Sequence, residues 1–335
     1  MQLSRAVPIL FLAGLSGTAG WLFMSTEKPG MSQSETYTPP ATEQPITPIP
    51  DSLALDARKV ELGRRLFHDK RLSRNDTVSC ASCHDMRRAG SDGQSVAVGV
   101  ERQMGTVNSP TVLNSAFNFR QFWDGRATTL EEQVAGPVHN PIEMATNWTE
   151  VIKKLSLDEQ YMREFGAIWP DGIKAANIQN AIAEFERSLI TPDSAFDRYL
   201  KGNVQALSPE ARKGWDLFRN LGCIACHQGV NMGGNMFANL GVMGDFFADR
   251  GKPLSKSDLG RYNVTGREED RHVFKVPTLR NIALTAPYFH DGSIARLEQT
   301  IEAMARYQLG IELSEQDKSA LAAFLQSLNG RLPAP

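Results

Sequence analysis

Two stretches of the chain carry the same hydrophobic signature. Ahead of Cys80, Val60, Leu62, Leu66 and Phe67 recur at helical spacing. Ahead of Cys223, a run from Ala211-Arg212-Lys213 to Leu217-Phe218 repeats the one from Ala57-Arg58-Lys59 to Leu66-Phe67. Apolar residues three and four apart share one face of a helix, so each copy predicts an amphipathic helix and the pair an internal repeat. Residues 175–189, 294–307 and 315–328 also read as helices, and Ser208 followed by Pro209 is a helix start. Strand signals are few and short. The predicted fold is mainly α, with two similar domains in tandem over residues 51–200 and 201–335.

The first 50 residues read differently. Residues 6–26 hold no charge and follow the single cation Arg5, which predicts an export signal or membrane anchor over 1–26. The apolar run 7–24 is about long enough to cross a bilayer, and Thr18-Ala19-Gly20 is a mediocre cleavage site, which favours an uncleaved inner-membrane anchor. Residues 27–50, rich in Pro, Thr, Ser and Glu, have the composition of a linker. The expected location is the periplasm. A formal charge of -2 over 335 residues, with basic residues only in scattered pairs such as Arg64-Arg65 and Arg87-Arg88, gives no footprint for nucleic acid.

The four cysteines fall in two identical patterns, Cys80-Ala-Ser-Cys83-His84 and Cys223-Ile-Ala-Cys226-His227, with none left over. In C-x-x-C-H the thiols form thioethers to a haem and the next residue offers imidazole to the iron from the same side. A zinc site or redox disulfide needs only the C-x-x-C, leaving each histidine incidental. Two covalent haems c are therefore expected, one in each of two cytochrome c-like domains.

From about residue 50 to residue 332 the chain resembles the bacterial dihaem cytochrome c peroxidases, which include the MauG-type enzymes. The resemblance rests on Asn108-Ser-Pro-Thr-Val-Leu-Asn114, Gln121-Phe-Trp-Asp-Gly-Arg126, Thr191-Pro-Asp-Ser194 and Phe196-Asp197. It continues in Val276-Pro-Thr-Leu-Arg-Asn281 and Leu284-Thr-Ala-Pro-Tyr-Phe-His-Asp-Gly292. It implies a peroxidatic haem on His84 and an electron-transfer haem on His227, with Met304 as the second iron's other ligand and Tyr307 as the runner-up. It also implies Glu143 as the catalytic acid-base, Gln133 as its distal partner and Trp123 between the haems, as relay or as packing. Ca²⁺ is expected on Asn108, Thr285 and Pro287, and His290 on a haem propionate. His139 reads as structural, and His68 and His272 receive no role.

The chain departs from the family at one position. Many members carry a removable histidine ligand sixteen residues after the first haem's histidine, where this chain has Val100, and no histidine occurs from Asp85 to Val138. The first iron is thus expected to be open without reductive activation, unless Met104 or Glu101 substitutes.

The leading function is reduction of hydrogen peroxide to water with electrons from a small cytochrome c or cupredoxin. MauG-like oxidation of a residue on a partner protein and non-enzymatic electron carriage are the alternatives. Homodimers are common in the family, so a second copy of the chain is an expected partner.

Overall fold

The computed structural model describes residues 45–334. The predicted anchor and the linker up to residue 44 lie outside them. Among the described residues no helix is long and apolar enough to cross a membrane.

In the first half, α1 (Ala57–His68) opens on Asp56, whose carboxylate caps Arg58 N–H. It is followed by α2 (Cys80–Cys83), α3 (Leu130–His139), α4 (Trp148–Leu155), α5 (Glu159–Ile168) and α6 (Ala175–Ser188). In the second half come α7 (Ala195–Leu200), α8 (Pro209–Asn220), α9 (Phe246–Asp249), α10 (Tyr262–Thr265), α11 (Leu297–Met304) and α12 (Glu315–Gln326). A short antiparallel pair, β1 (Phe237–Asn239) with β2 (Val273–Lys275), sets Phe237 opposite Lys275. The helix expected from 294 starts three residues later, because Ile294 bridges to Tyr288 instead.

Each half has its own core. Leu62, Leu66 and Phe67 of α1 pack with Ile178, Ala181 and Phe185 of α6, while Trp215 and Phe218 of α8 pack with Leu321 and Phe324 of α12. The two helix pairs cross alike. A Cβ on Gly63 would lie 1.9 Å from the Ala181 carbonyl oxygen, and one on Gly214 would lie 1.9 Å from that of Ala320. Only glycine lets the backbones approach this closely. The glycines set the register of the repeat, with Leu66-Phe67 matching Leu217-Phe218. The two Ala-Arg-Lys triplets are three residues out of step and do not correspond in space.

The repeat extends into the loops. Asn114 and Asn281 both close a Pro-Thr-x-x-Asn segment in left-handed conformation, at φ 60° and 61°. Each donates its side-chain N–H, at 2.8 Å, to the buried Thr191 hydroxyl. Phe122 and Phe289 share φ 68°, so that Trp123 and His290 occupy equivalent places.

The end of the stretch read as linker is packed. Ile46 and Ile49 are buried, Arg280 donates to the Thr47 carbonyl, and Ile49 N–H donates to Asp197, which pairs with Arg280 at 2.8 Å. The cation and carboxylate, both fully buried, satisfy one another and pin this strap to the second half.

Candidate functional site: two C-x-x-C-H turns and the residues around them

The first turn is α2 itself, with Ser79 and Ser82 capping its start and His84 ending it. His84 Nδ1 lies 3.1 Å from the Gly90 carbonyl. Since a carbonyl only accepts, Nδ1 carries the proton and Nε2 keeps its lone pair. Gly90 sits at φ 71°, with Thr111, Val112 and Leu113 crowding the place of a side chain. In the second turn His227 Nδ1 faces the Met232 carbonyl at 3.3 Å. Desolvation lowers the pKa of both imidazoles, that of His227 to about 4, so both are neutral ligands in waiting.

None of the four cysteines is in a disulfide. Burial pushes the thiols of Cys83 and Cys223 up to about 11, and Cys80 is raised further. Among the described residues no three His, Cys, Asp or Glu side chains gather as a metal site would require, which disfavours zinc. Around Cys223, Cys226 and His227 opens a cavity of about 520 Å³, walled by Phe218, Leu221, Ile301, Leu321 and Leu325. That volume and apolar lining suit a cofactor. Paired thiols, a free imidazole nitrogen and an apolar slot together fit haem c.

Met304, the last residue of α11, lines this cavity with His227, just before a π-helical turn over Ala305–Leu309. Tyr307 instead donates its hydroxyl to Asp249 at 3.0 Å and is absent from the cavity wall. Trp123 lines the wall too. Its indole N–H donates to the Asn108 carbonyl at 3.0 Å, and its own carbonyl accepts Lys275 N–H at 2.8 Å.

Glu143 belongs to the first turn. Its carboxylate is close enough to Cys83 to help raise that thiol, after burial and Asp92. Burial raises the Glu143 pKa, against Asn140 Nδ2, which donates to Oε1 at 2.7 Å, and the Arg126 guanidinium. Gln133 lies on α3, one turn before Pro137, and makes no side-chain hydrogen bond to Glu143 among the described residues.

Val100 is fully buried, and its N–H donates to the Glu143 carbonyl at 2.8 Å. A Cβ on neighbouring Gly99 would meet the Ile142 carbonyl at 2.1 Å. The turn beyond is tight, with Glu101 and Arg102 both left-handed. Neither substitute ligand points inward, since Glu101 pairs with Arg74 and Met104 is 61% exposed.

Asn108, Thr285 and Pro287 border the same cavity as Trp123, and Asn108 Nδ2 donates to the Gln94 carbonyl. His290 is buried with Nε2 2.7 Å from Asp258, so only Nδ1 is left for a cofactor carboxylate. His272 and His68 bond the Asp258 and Arg64 carbonyls, and exposed His139 meets Trp148 edge-on, all structural places. Sequence reasoning gave no role to Arg126 and missed Asn140 and Lys275. It also missed Glu186 of α6, a buried acid near Cys80 that burial pushes up to about 8. No spacing signal marks any of them.

The profile of the family described as di-haem cytochrome c peroxidase matches residues 57–205. A cytochrome c peroxidase of Escherichia coli is 48% identical over 87% of this chain, which spans 62% of that longer relative. The solved structure of a MauG-like protein associated with microbial copper homeostasis superposes with TM-score 0.75 at 32% identity, covering 88% of this chain and 94% of that one. The cytochrome c551 peroxidase of Nitrosomonas europaea is 44% identical over 88% of this chain and 86% of its own length. With two C-x-x-C-H turns in two glycine-crossed helical cores and these likenesses along nearly its whole described length, the chain belongs to the dihaem cytochrome c peroxidase family.

Proposed function

We propose that this chain is a periplasmic dihaem peroxidase that reduces hydrogen peroxide to two waters with two electrons and two protons. The electrons come from a small cytochrome c or cupredoxin. The observation that carries this reading is Glu143, a half-buried carboxyl whose pKa is raised by desolvation and whose charge is felt at Cys83 of the first C-x-x-C-H turn. An electron carrier has no use for such a group. When bound, haem supplies the redox-active iron, open to peroxide at the first site and storing one electron at the second.

The protein's part is proton handling and positioning. Glu143 takes the proton from one peroxide oxygen and returns it to the other, and Gln133 steadies the departing oxygen. Asn140 holds the Glu143 carboxylate in place. His84 would hold the first haem through Nε2, and Val100 offers that haem no second imidazole. His227 and Met304, on one cavity wall, would hold the second haem, a ligand pair suited to an iron that only exchanges electrons. Trp123, on the cavity wall, would relay electrons between the two sites. The Asn108 side-chain oxygen and the Thr285 and Pro287 carbonyls are hard donors suited to Ca²⁺.

A second reading, MauG-like oxidation of a partner protein, is favoured by Val100, which offers the first iron no imidazole. The Tyr307 hydroxyl, spent on Asp249, weighs against it. Glu143→Gln decides for peroxide chemistry. Both haem spectra should persist while peroxide turnover falls about a hundredfold or more. Unchanged turnover removes Glu143 from the mechanism.

A further inference from the structure

Lys275 ends β2 and is only 8% exposed. Its backbone is spent on Trp123, but its ammonium makes no hydrogen bond or ion pair among the described residues. Burial alone pushes its pKa down, to about 8, and no charged neighbour contributes. An unpaired ammonium in such a place is unfavourable. The cavity that Lys275 lines makes this more pointed. Its wall includes Cys223, Cys226, His227 and Met304, yet no aspartate, glutamate or arginine and no second lysine. The protein has set one cation in an apolar slot and supplied nothing to neutralise it.

The group that the slot accepts brings its own anions, because haem carries two propionate carboxylates. We propose that Lys275 is a positioning residue for the second haem, its ammonium pairing with a propionate and raising that haem's reduction potential. The inference rests on the dihaem reading above. Its physics is direct. Reduction adds an electron to the haem, and a cation held nearby in a low-dielectric wall favours the reduced form. It also neutralises a propionate that would otherwise oppose electron entry. A lysine that merely fills space would do neither.

The test is a spectroelectrochemical titration of both haems in the intact protein and in Lys275→Met, Lys275→Gln and Lys275→Arg. Lys275→Met should shift the second haem's midpoint potential downward and leave the first unmoved. Lys275→Arg, which keeps the cation, should restore it. Should the Met variant fail to accumulate, Lys275→Gln reads the same loss of charge with a polar side chain. A second-haem potential equal to the original in the neutral variant overturns the proposal, as does an equal shift of both haems or no rescue by arginine. Mass spectrometry of the denatured protein separates this from failure of the underlying reading. Two haem additions keep the dihaem assignment whatever the potentials show, whereas fewer than two overturn it and the role of Lys275 with it.

Discussion

Removing Asn140 tests how Glu143 is poised. Burial raises the Glu143 pKa, and the 2.7 Å hydrogen bond from Asn140 Nδ2 opposes that by favouring the carboxylate. A hydrogen bond to a charged group contributes about 1.5 kcal/mol at the lower end of its range, and about 1.4 kcal/mol corresponds to one pH unit. Asn140→Ala should therefore raise the Glu143 pKa by about one unit. Since Glu143 accepts a proton only when ionised, activity falls as pH drops through its pKa. The acid limb of the kcat/KM profile for peroxide should move to higher pH by that amount, with the alkaline side unmoved. Asn140 Oδ1 also accepts Ile142 N–H at 3.2 Å, so the alanine loosens the turn as well. Loosening alone lowers the whole profile without displacing the limb. A limb that stays in place while both haem spectra are intact refutes the assignment of Glu143 as the titrating base.

Two further outcomes are expected. Gly214→Ala forces a methyl onto the Ala320 carbonyl and should cost about 1–3 kcal/mol of stability by thermal or denaturant unfolding. Gly166→Ala on α5, with nothing within 4 Å, should be neutral or slightly stabilising, and equal effects at the two sites would refute the crossing argument. Electron paramagnetic resonance of the resting protein should show a high-spin first haem, and Val100→His should convert it to low spin wherever the loop brings imidazole to the iron. Two low-spin ferric signals in the unaltered protein would refute an open iron.

The helical class, the paired C-x-x-C-H turns and the helices α1, α6, α8, α11 and α12 were legible because periodicity and covalent spacing are local properties. The register of the repeat was not. The matching Ala-Arg-Lys letters are conspicuous in the sequence, but the helix crossing is fixed by Gly63 and Gly214, whose importance lies in what approaches them. Ile46 and Ile49 were hidden by the Pro- and Thr-rich composition around them, and only the buried Arg280–Asp197 pair explains why that strap is ordered. Lys275 stands in a short Val-Phe-Lys strand, where a lysine would ordinarily be solvated. Nothing local distinguishes it from the other lysines, because its burial is set by Trp123 and by a cavity built from distant segments.

The Thr191 hydroxyl joins the two halves of the molecule at one atom. A hydroxyl oxygen has two lone pairs, and here one receives Asn114 of the first half and the other Asn281 of the second. Thr191 is 1% exposed, so water cannot stand in for either partner. Sliding one half against the other would leave buried amide donors unsatisfied, at about 1–3 kcal/mol each. The two bonds therefore oppose sliding at this joint. The two sites are thus held in one frame in part by a side chain that takes no part in the chemistry.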